Sequence, residues 1–228
     1  MPEFPYGTKE HTRMKIAVLG TGDVGRQLAS KLVALGHEVT LGSRSADHAG
    51  ATAWAAEHDA AHGTFAAAAA GAELVVNATG GLVSLAALEA AGAENLAGKV
   101  VVDVSNPLDF SAGFPPAVQT PDGGSLAEQI QRTFPEARVV KTLNTMTNTV
   151  MVEPARVPGD HVVFVCGDDE EAKLTVTELL ASFGWPAARI VDLGDLSGAR
   201  GTELLLPLWL RLMGTLGTGD FNFGILKA

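Results

Sequence analysis

The sequence predicts a doubly wound α/β fold on a parallel sheet. Three observations carry that expectation. Short apolar runs alternate with helix-periodic stretches along the chain. The first apolar run ends in Gly20-x-Gly22-x-x-Gly25, and an amphipathic segment (Leu28, Leu32, Leu35) begins at once. Lys99 to Ser105 is a β-branched run of the kind buried on both faces of a parallel sheet.

The first strand starts at Lys15. Gly20 permits the tight turn that follows, Gly22 lets backbone N–H groups approach a pyrophosphate, and Gly25 lets the helix pack close to the strand. Strand, glycine turn and helix together predict a Rossmann dinucleotide-binding fold. The second strand, His37 to Gly42, normally leads to an acidic residue that binds a free ribose 2′-hydroxyl. Here the chain reads Ser43-Arg44-Ser45. A guanidinium flanked by hydroxyls grips a 2′-phosphate, so the expected cofactor is NADP(H) rather than NAD(H).

Ala46 to Asp59 reads as a helix, followed by a short strand near Gly63 to Phe65 and a small helix through Ala70. Glu73 to Ala78 is an apolar strand stopped by Thr79-Gly80-Gly81. Leu82 to Ala91 is helical by period, with Leu82, Leu85, Ala86 and Leu88 on one side. The Lys99 to Ser105 strand closes at Asn106-Pro107, and 108–124 is a long loop without periodicity. Ser125 with Glu128 forms a capping box for a helix through Phe134. Arg138 to Thr142 is a strand left by residues 143–150, and His161 to Cys166 is another. Asp168 to Glu171 suits the start of a helix running to about Phe183, and Arg189 to Leu193 is a last strand. Asp195 to Leu216 is expected to close the chain as a long apolar helix, interrupted or kinked at Pro207. Its face of Leu205, Leu208, Trp209 and Leu212 serves the core or a homodimer contact.

Residues 1–13 read as a disordered extension, and 14–228 as one dinucleotide-binding domain with a small C-terminal extension, in which 143–228 completes a cleft for a second cofactor. The net charge of -10 argues against sequence-independent binding to nucleic acid or an anionic membrane. A single cysteine, Cys166, allows no intrachain disulfide and suits a reducing cytoplasm. The most apolar run, 204–216, is too short to span a bilayer and contains Pro207 and Arg211. A soluble cytoplasmic protein is expected.

Ligands in such a sheet bind outside the carboxyl ends of the strands. Gly20 to Gly25 then holds the pyrophosphate, and Ala78-Thr79-Gly80 passes close to the adenosine or ribose. Ser105-Asn106-Pro107 and Asn144-Thr145-Met146 border the nicotinamide. None of these strand ends offers an acid and base pair. Tyr6 is the one tyrosine and lies in the N-terminal extension, and no histidine falls at a strand end. Reducing a ketone or imine calls for a positioned proton donor. Lys141 could serve, or could point to solvent from its strand. Hydride passing between two redox rings needs only stacking and neutral donors. Asn144, Thr145, Thr147 and Asn148 fit that task, with Met146 against a ring face. His58 and His62 sit four apart, but Gly63 follows directly, so they read as a fraying helix end and no metal is assigned.

Gly20-Thr-Gly-Asp-Val-Gly-Arg-Gln-Leu and Gly42-Ser-Arg resemble the NADPH-dependent reductases of coenzyme F420, a deazaflavin. The resemblance continues through Val165-Cys-Gly-Asp-Asp-Glu-Glu-Ala-Lys173 and the Phe223-Gly-Ile-Leu tail. Val102-Asp-Val-Ser-Asn106 and Val140-Lys-Thr-Leu-Asn-Thr145 are also similar to the cytosolic domain of the six-transmembrane metalloreductases, which passes hydride from NADPH to a flavin. Deazaflavin reductases tend to carry histidine where this chain has Asn144, and proline where it has Thr147. The resemblance implies that Thr21, Gly22, Asp23 and Val24 line the pyrophosphate, and Ser43 with Arg44 the 2′-phosphate. It places the residues around Asn106 and Asn144 beside the nicotinamide and the second ring. The expected activity is NADPH-dependent hydride exchange with F420 or with FMN or FAD. The alternatives are reduction of a small carbonyl or imine, with Lys141 or water as proton source, and a non-catalytic NADP(H)-sensing module.

Overall fold

The computed structural model describes residues 13–121 and 124–227, so the expected N-terminal extension and Tyr6 lie outside the described residues except for Arg13. Strand β1 (Lys15–Leu19) leads through the glycine turn to α1 (Asp23–Ala34). Then come β2 (Glu38–Ser43), α2 (Ala49–His58), β3 (Ala61–Thr64) and α3 (Phe65–Ala70). The second half opens with β4 (Leu74–Asn77), α4 (Ser84–Ala91), α5 (Ala93–Leu96) and β5 (Val100–Asp103). A two-stranded hairpin of β6 (Leu108–Asp109) and β7 (Ala117–Val118) precedes α6 (Leu126–Thr133) and β8 (Arg138–Thr142). The chain finishes with α7 (Asn148–Val152), β9 (Val163–Gly167), α8 (Glu170–Phe183), β10 (Ile190–Asp192), α9 (Ala199–Leu204) and α10 (Leu206–Leu216).

The main sheet has the order β10-β9-β8-β5-β4-β1-β2-β3. The chain winds outward from β1 through β2 to β3, then returns to β4 and winds the other way. The strand order therefore reverses between β1 and β4, where a crevice opens at the carboxyl edge. The doubly wound architecture is as expected, but the sheet is not wholly parallel. β9 runs antiparallel to β8, with Thr142 opposite Val165, and β10 is parallel to β9. Parallel pairing needs a connection that crosses a sheet face. The link from β8 to β9 instead puts its short helix α7 beside α1, so β9 starts at the edge where β8 ends.

Two apolar layers cover the sheet. Leu28, Leu32, Trp54, Val176 and Leu180 pack on one face, and Phe65, Leu88, Leu96, Leu126 and Ile130 on the other. Cys166 is buried in the second layer, and burial pushes its thiol up to about 12. Gly25 shows why the glycine spacing is needed: a Cβ there would lie 2.0 Å from the Gly20 carbonyl oxygen. Gly20 itself has φ +119, a conformation open to glycine and strained for other residues.

Three local expectations are corrected. The buried face of α4 is Ser84, Ala87, Leu88 and Ala91, whereas Leu82 sits 51% exposed in a preceding 3-10 turn (Gly81–Val83). The presumed structureless loop at 108–124 carries the β6–β7 hairpin. The closing helix is interrupted at Leu205, beside Pro207 as expected, because Pro207 in the first turn of α10 has no N–H to continue α9, but its inward face is not the expected one. Its buried residues are Leu206, Trp209 and Leu210, with Leu208 51% exposed. Among the described residues no helix is long and apolar enough to cross a membrane.

The Ser125–Glu128 capping box forms as expected. Glu128 also receives Arg200 Nε at 2.9 Å and Nη2 at 2.6 Å. The arginine, together with the Ser125 donors, holds the Glu128 carboxyl at about 2 instead of the ordinary 4.5. A carboxyl held low in the folded state adds stability above its ordinary value, and that stability is lost as pH falls toward the folded value. Arg200→Ala is therefore expected to flatten the acid limb of stability between pH 4.5 and about 2. Thermal melts across that range check it, and an unchanged limb would contradict the pairing.

Candidate active site

The carboxyl edge of the sheet carries a cleft of about 340 Å³ at the strand-order reversal. Its floor comes from four strand exits, those of β1, β4, β5 and β8. After β1, Asp23 and Val24 begin α1, whose N-cap Gly22 has no side chain to bond the free N–H groups of the first turn. Those N–H groups and the helix dipole form a seat for an anion. A Cβ at Gly22 would meet nothing within 4 Å, so the fold itself does not demand this glycine. The space it leaves open fits a pyrophosphate. Arg26 braces the turn by donating to the Thr21 carbonyl at 2.7 Å and to Asp23 at 2.6 Å.

Beyond this turn lies the end of β2. Arg44 and Ser45 are exposed there. Ser43 is buried, and its hydroxyl donates to the carbonyls of Ser45 at 2.5 Å and Gly63 at 3.3 Å, so it shapes the corner. His48 caps α2 by accepting from Ala51 N–H at 3.2 Å, and its Nε2 lies 3.4 Å from the Thr21 hydroxyl. It thus ties the β2 corner to the glycine turn. The sequence reading started α2 at Ala46 and passed over this cap.

The exits of β4 and β5 supply Ala78, Thr79, Ser105 and Asn106 to the cleft, and the exit of β8 supplies Asn144, Met146, Thr147 and Asn148. Asn106 Nδ2 donates to the Asn144 carbonyl at 2.8 Å, and Asn144 Nδ2 to Asn106 Oδ1 at 3.0 Å. The two amides lock each other, a pairing helped by Leu143, whose φ of 62 turns the chain sharply after β8. Of the expected site residues, Asp23, Val24, Ala78, Thr79, Ser105, Asn106, Asn144 and Met146 line the cleft, whereas Gly20, Gly22 and Gly25, Thr21, the Ser43–Ser45 corner, Gly80, Pro107 and Thr145 stand off its lining, Thr145 being buried. His58 is engaged with Ser30 at 2.8 Å and the Trp54 carbonyl at 2.9 Å.

The roof went unrecognised in the sequence. Leu206, Trp209 and Leu210 of α10 face the floor together with Leu108 and Met151. Trp209 stacks on Phe221 with ring centroids 5.4 Å apart, and so is held from behind. The signal was present in the apolar closing helix, but the face was assigned one residue out of register. Among the described residues of the lining, Asp23 is the single ionisable side chain, and it sits at the pyrophosphate end.

Lys141 does not reach solvent, and it does not reach the cleft. Its ammonium is fully buried, 2.7 Å from Asp103 and 3.0 Å from Glu203, and it donates to the Ser105 carbonyl at 2.6 Å. Burial alone would lower its pKa, but the carboxylates of Asp103 and Glu203 more than offset that and raise it. An ammonium held this firmly is a poor proton donor to a bound substrate.

These features fit a slot for two flat rings between a neutral polar floor and an apolar roof, with an anion seat to one side. Residues 15–107 match the family described as "NADP oxidoreductase coenzyme F420-dependent". The chain is 57% identical to a protein of Arthrobacter sp. FB24 whose crystal structure is named for the F420-dependent NADP reductases, covering 94% of this chain and 100% of that one with a TM-score of 0.89. It is 32% identical over 205 residues to metalloreductase STEAP3 of Rattus norvegicus, covering 86% of this chain but 38% of that longer protein. An imine reductase of Aspergillus terreus, 21% identical with a TM-score of 0.64, shares the fold. The F420-dependent NADP reductase of Methanocaldococcus jannaschii is 33% identical over 209 residues, which cover 87% of this chain and 92% of that one. The chain therefore belongs to the F420-dependent NADP reductases, a family of oxidoreductases.

Proposed function

We infer that this protein exchanges hydride between NADP(H) and coenzyme F420, with both rings held in the cleft at the strand-order reversal. The observation that carries the reading is the cleft lining. Among the described residues it offers a polar floor whose one ionisable side chain, Asp23, stands at the pyrophosphate end, an apolar roof, and no acid or base beside the ring site. Direct transfer between two redox rings needs alignment at about 3–3.5 Å and no such group. When bound there, NADPH would supply a hydride to the acceptor ring, and one proton from solvent would balance the reduction.

The glycine turn and the N-terminus of α1 hold the pyrophosphate, and Arg44 with Ser45 the 2′-phosphate. Asn106 and Asn144 fix the strand exits beside the nicotinamide, and Met146 presses on a ring face. Residues 14–228 act as one domain, whose part after residue 143 supplies the roof. A homodimer formed along α9 and α10 would cover Leu204 and Leu208, which are exposed on their outer side.

Mixing the protein with NADPH and F420, FMN or FAD, and following loss of nicotinamide absorbance, tests the acceptor. Rapid oxidation with F420 is expected. Turnover with FMN or FAD alone would reassign the acceptor to a flavin. Tight NADPH binding without turnover on any of the three would favour a sensing module.

Arg44→Ala is expected to weaken NADPH by about 1.5–3 kcal/mol, the loss of a charged hydrogen bond, and to leave NADH almost unaffected. Titration calorimetry with both nucleotides checks this. Equal losses would contradict the 2′-phosphate role.

A further inference from the structure

Beneath the cleft floor, Lys141, Asp103 and Glu203 are buried together, each with every charge engaged. Glu203 accepts from the Leu126 and Ala127 N–H groups at 2.8 and 3.2 Å, so it also closes the N-terminus of α6. Asp103 accepts from Asn77 at 2.9 Å and from the Ser105 hydroxyl at 2.6 Å. Asn77 in turn accepts from the Thr79 hydroxyl at 2.7 Å. Stability alone does not call for this arrangement, because well-packed apolar side chains often serve a core as well as a buried ion pair or better. What ions supply is directional geometry.

That geometry joins the two walls of the cleft. On one side Lys141 holds the Ser105 carbonyl, and Ser105 and Asn106 line the floor. On the other side Glu203 lies in α9, one turn before Leu206, and Trp209 follows on α10. Pro207 has no N–H to give back to α9, so one backbone bond is missing where these helices meet, although the Trp209 N–H still reaches the Leu205 carbonyl at 3.1 Å. We propose that Lys141 and Glu203 are positioning residues whose buried link sets the spacing between the Ser105–Asn106 floor and the Leu206–Trp209 roof, and with it the separation of the two rings. The proposal rests on the hydride-transfer reading above, but its structural half can be measured without an acceptor.

Glu203→Gln keeps the shape and one acceptor oxygen but loses the charge, and Glu203→Asp keeps the charge but shortens the reach. In single-turnover mixing with F420, Glu203→Gln is expected to slow hydride transfer by on the order of tenfold to a hundredfold, as small misplacements do. NADPH affinity should stay at the wild-type level, because the glycine turn and Arg44 lie on other strands. Glu203→Asp should fall between the two, and it decides the question if Glu203→Gln does not fold. Amide hydrogen exchange should accelerate together at 105–108 and 206–216, with 20–25 unchanged. A wild-type transfer rate, affinity lost in step with rate, or faster exchange confined to α9 would overturn the proposal. If wild-type protein reduces neither F420 nor a flavin, the hydride reading fails, while the exchange pattern still decides whether the link holds the two walls.

Discussion

Gly22→Val is expected to abolish useful NADP(H) binding while leaving the fold standing. The backbone at Gly22 has φ -72 and ψ -179, an extended conformation that valine adopts freely. No atom lies within 4 Å of the position a Cβ would take. The folded protein therefore loses only the difference between glycine and valine as an N-cap, about 1 kcal/mol. The ligand is affected far more. A branched side chain would stand in front of the first-turn N–H groups of α1, where the phosphates approach. Losing two charge-assisted hydrogen bonds at about 1.5–3 kcal/mol each would weaken binding by about 3–6 kcal/mol, or roughly two to four orders of magnitude. Calorimetric titration reads the affinity, and a thermal melt reads the fold. Gly25→Ala is the contrasting variant: its Cβ would lie 2.0 Å from the Gly20 carbonyl oxygen, so it should lower the melt itself. Wild-type affinity in Gly22→Val would mean that the pyrophosphate lies elsewhere.

That contrast shows which parts of the molecule are legible in the sequence. Gly20, Gly22 and Gly25 act within one turn, and Ser125 with Glu128 within one helix start, so each leaves a local pattern that means the same thing in any chain. Strand direction leaves none. His161 to Cys166 reads identically whether β9 is parallel or antiparallel to β8. Helix faces fall between these cases. The period of α10 is plain, but leucines stand on neighbouring stripes of it, so the sequence pointed to Leu205, Leu208 and Leu212 where Leu206 and Leu210 turn inward beside Trp209. His48 escaped notice because part of its role depends on the Thr21 hydroxyl, 27 residues away in the glycine turn.

Lys141 is the instructive failure. Alone in Arg-Val-Val-Lys-Thr it reads equally as a proton donor to the site or as a solvent-facing strand lysine. Its partner Asp103 lies 38 residues away. Yet Asp103 interrupts Val100-Val-Val-Asp-Val104, and Glu203 directly precedes the apolar Leu204-Leu-Leu206 before Pro207. Both acids lie where an unpaired charge would be costly, so each implied a buried cation. Three misplaced charges, read together, would have identified the group.

Lys141→Met tests how firmly that group holds the fold, and the expected loss is about 3–5 kcal/mol, the usual result of removing one member of a buried ion pair. Methionine matches the volume and leaves no cavity, so the loss measures the charge. Without the ammonium, Asp103 and Glu203 face each other with no cation between them. The variant must therefore take up protons on folding. Stability rises with falling pH wherever the folded state binds more protons, so the deficit should be largest at neutral pH and shrink in mild acid. Denaturant melts of both proteins at neutral pH and at about pH 5, one unit above ordinary carboxyl values, give the comparison. Adding Glu203→Gln to the variant removes one of the stranded charges and should recover part of the loss, whereas independent sites would make the losses add. A pH-independent deficit, or simple addition, would mean that the three side chains do not act as one electrostatic unit.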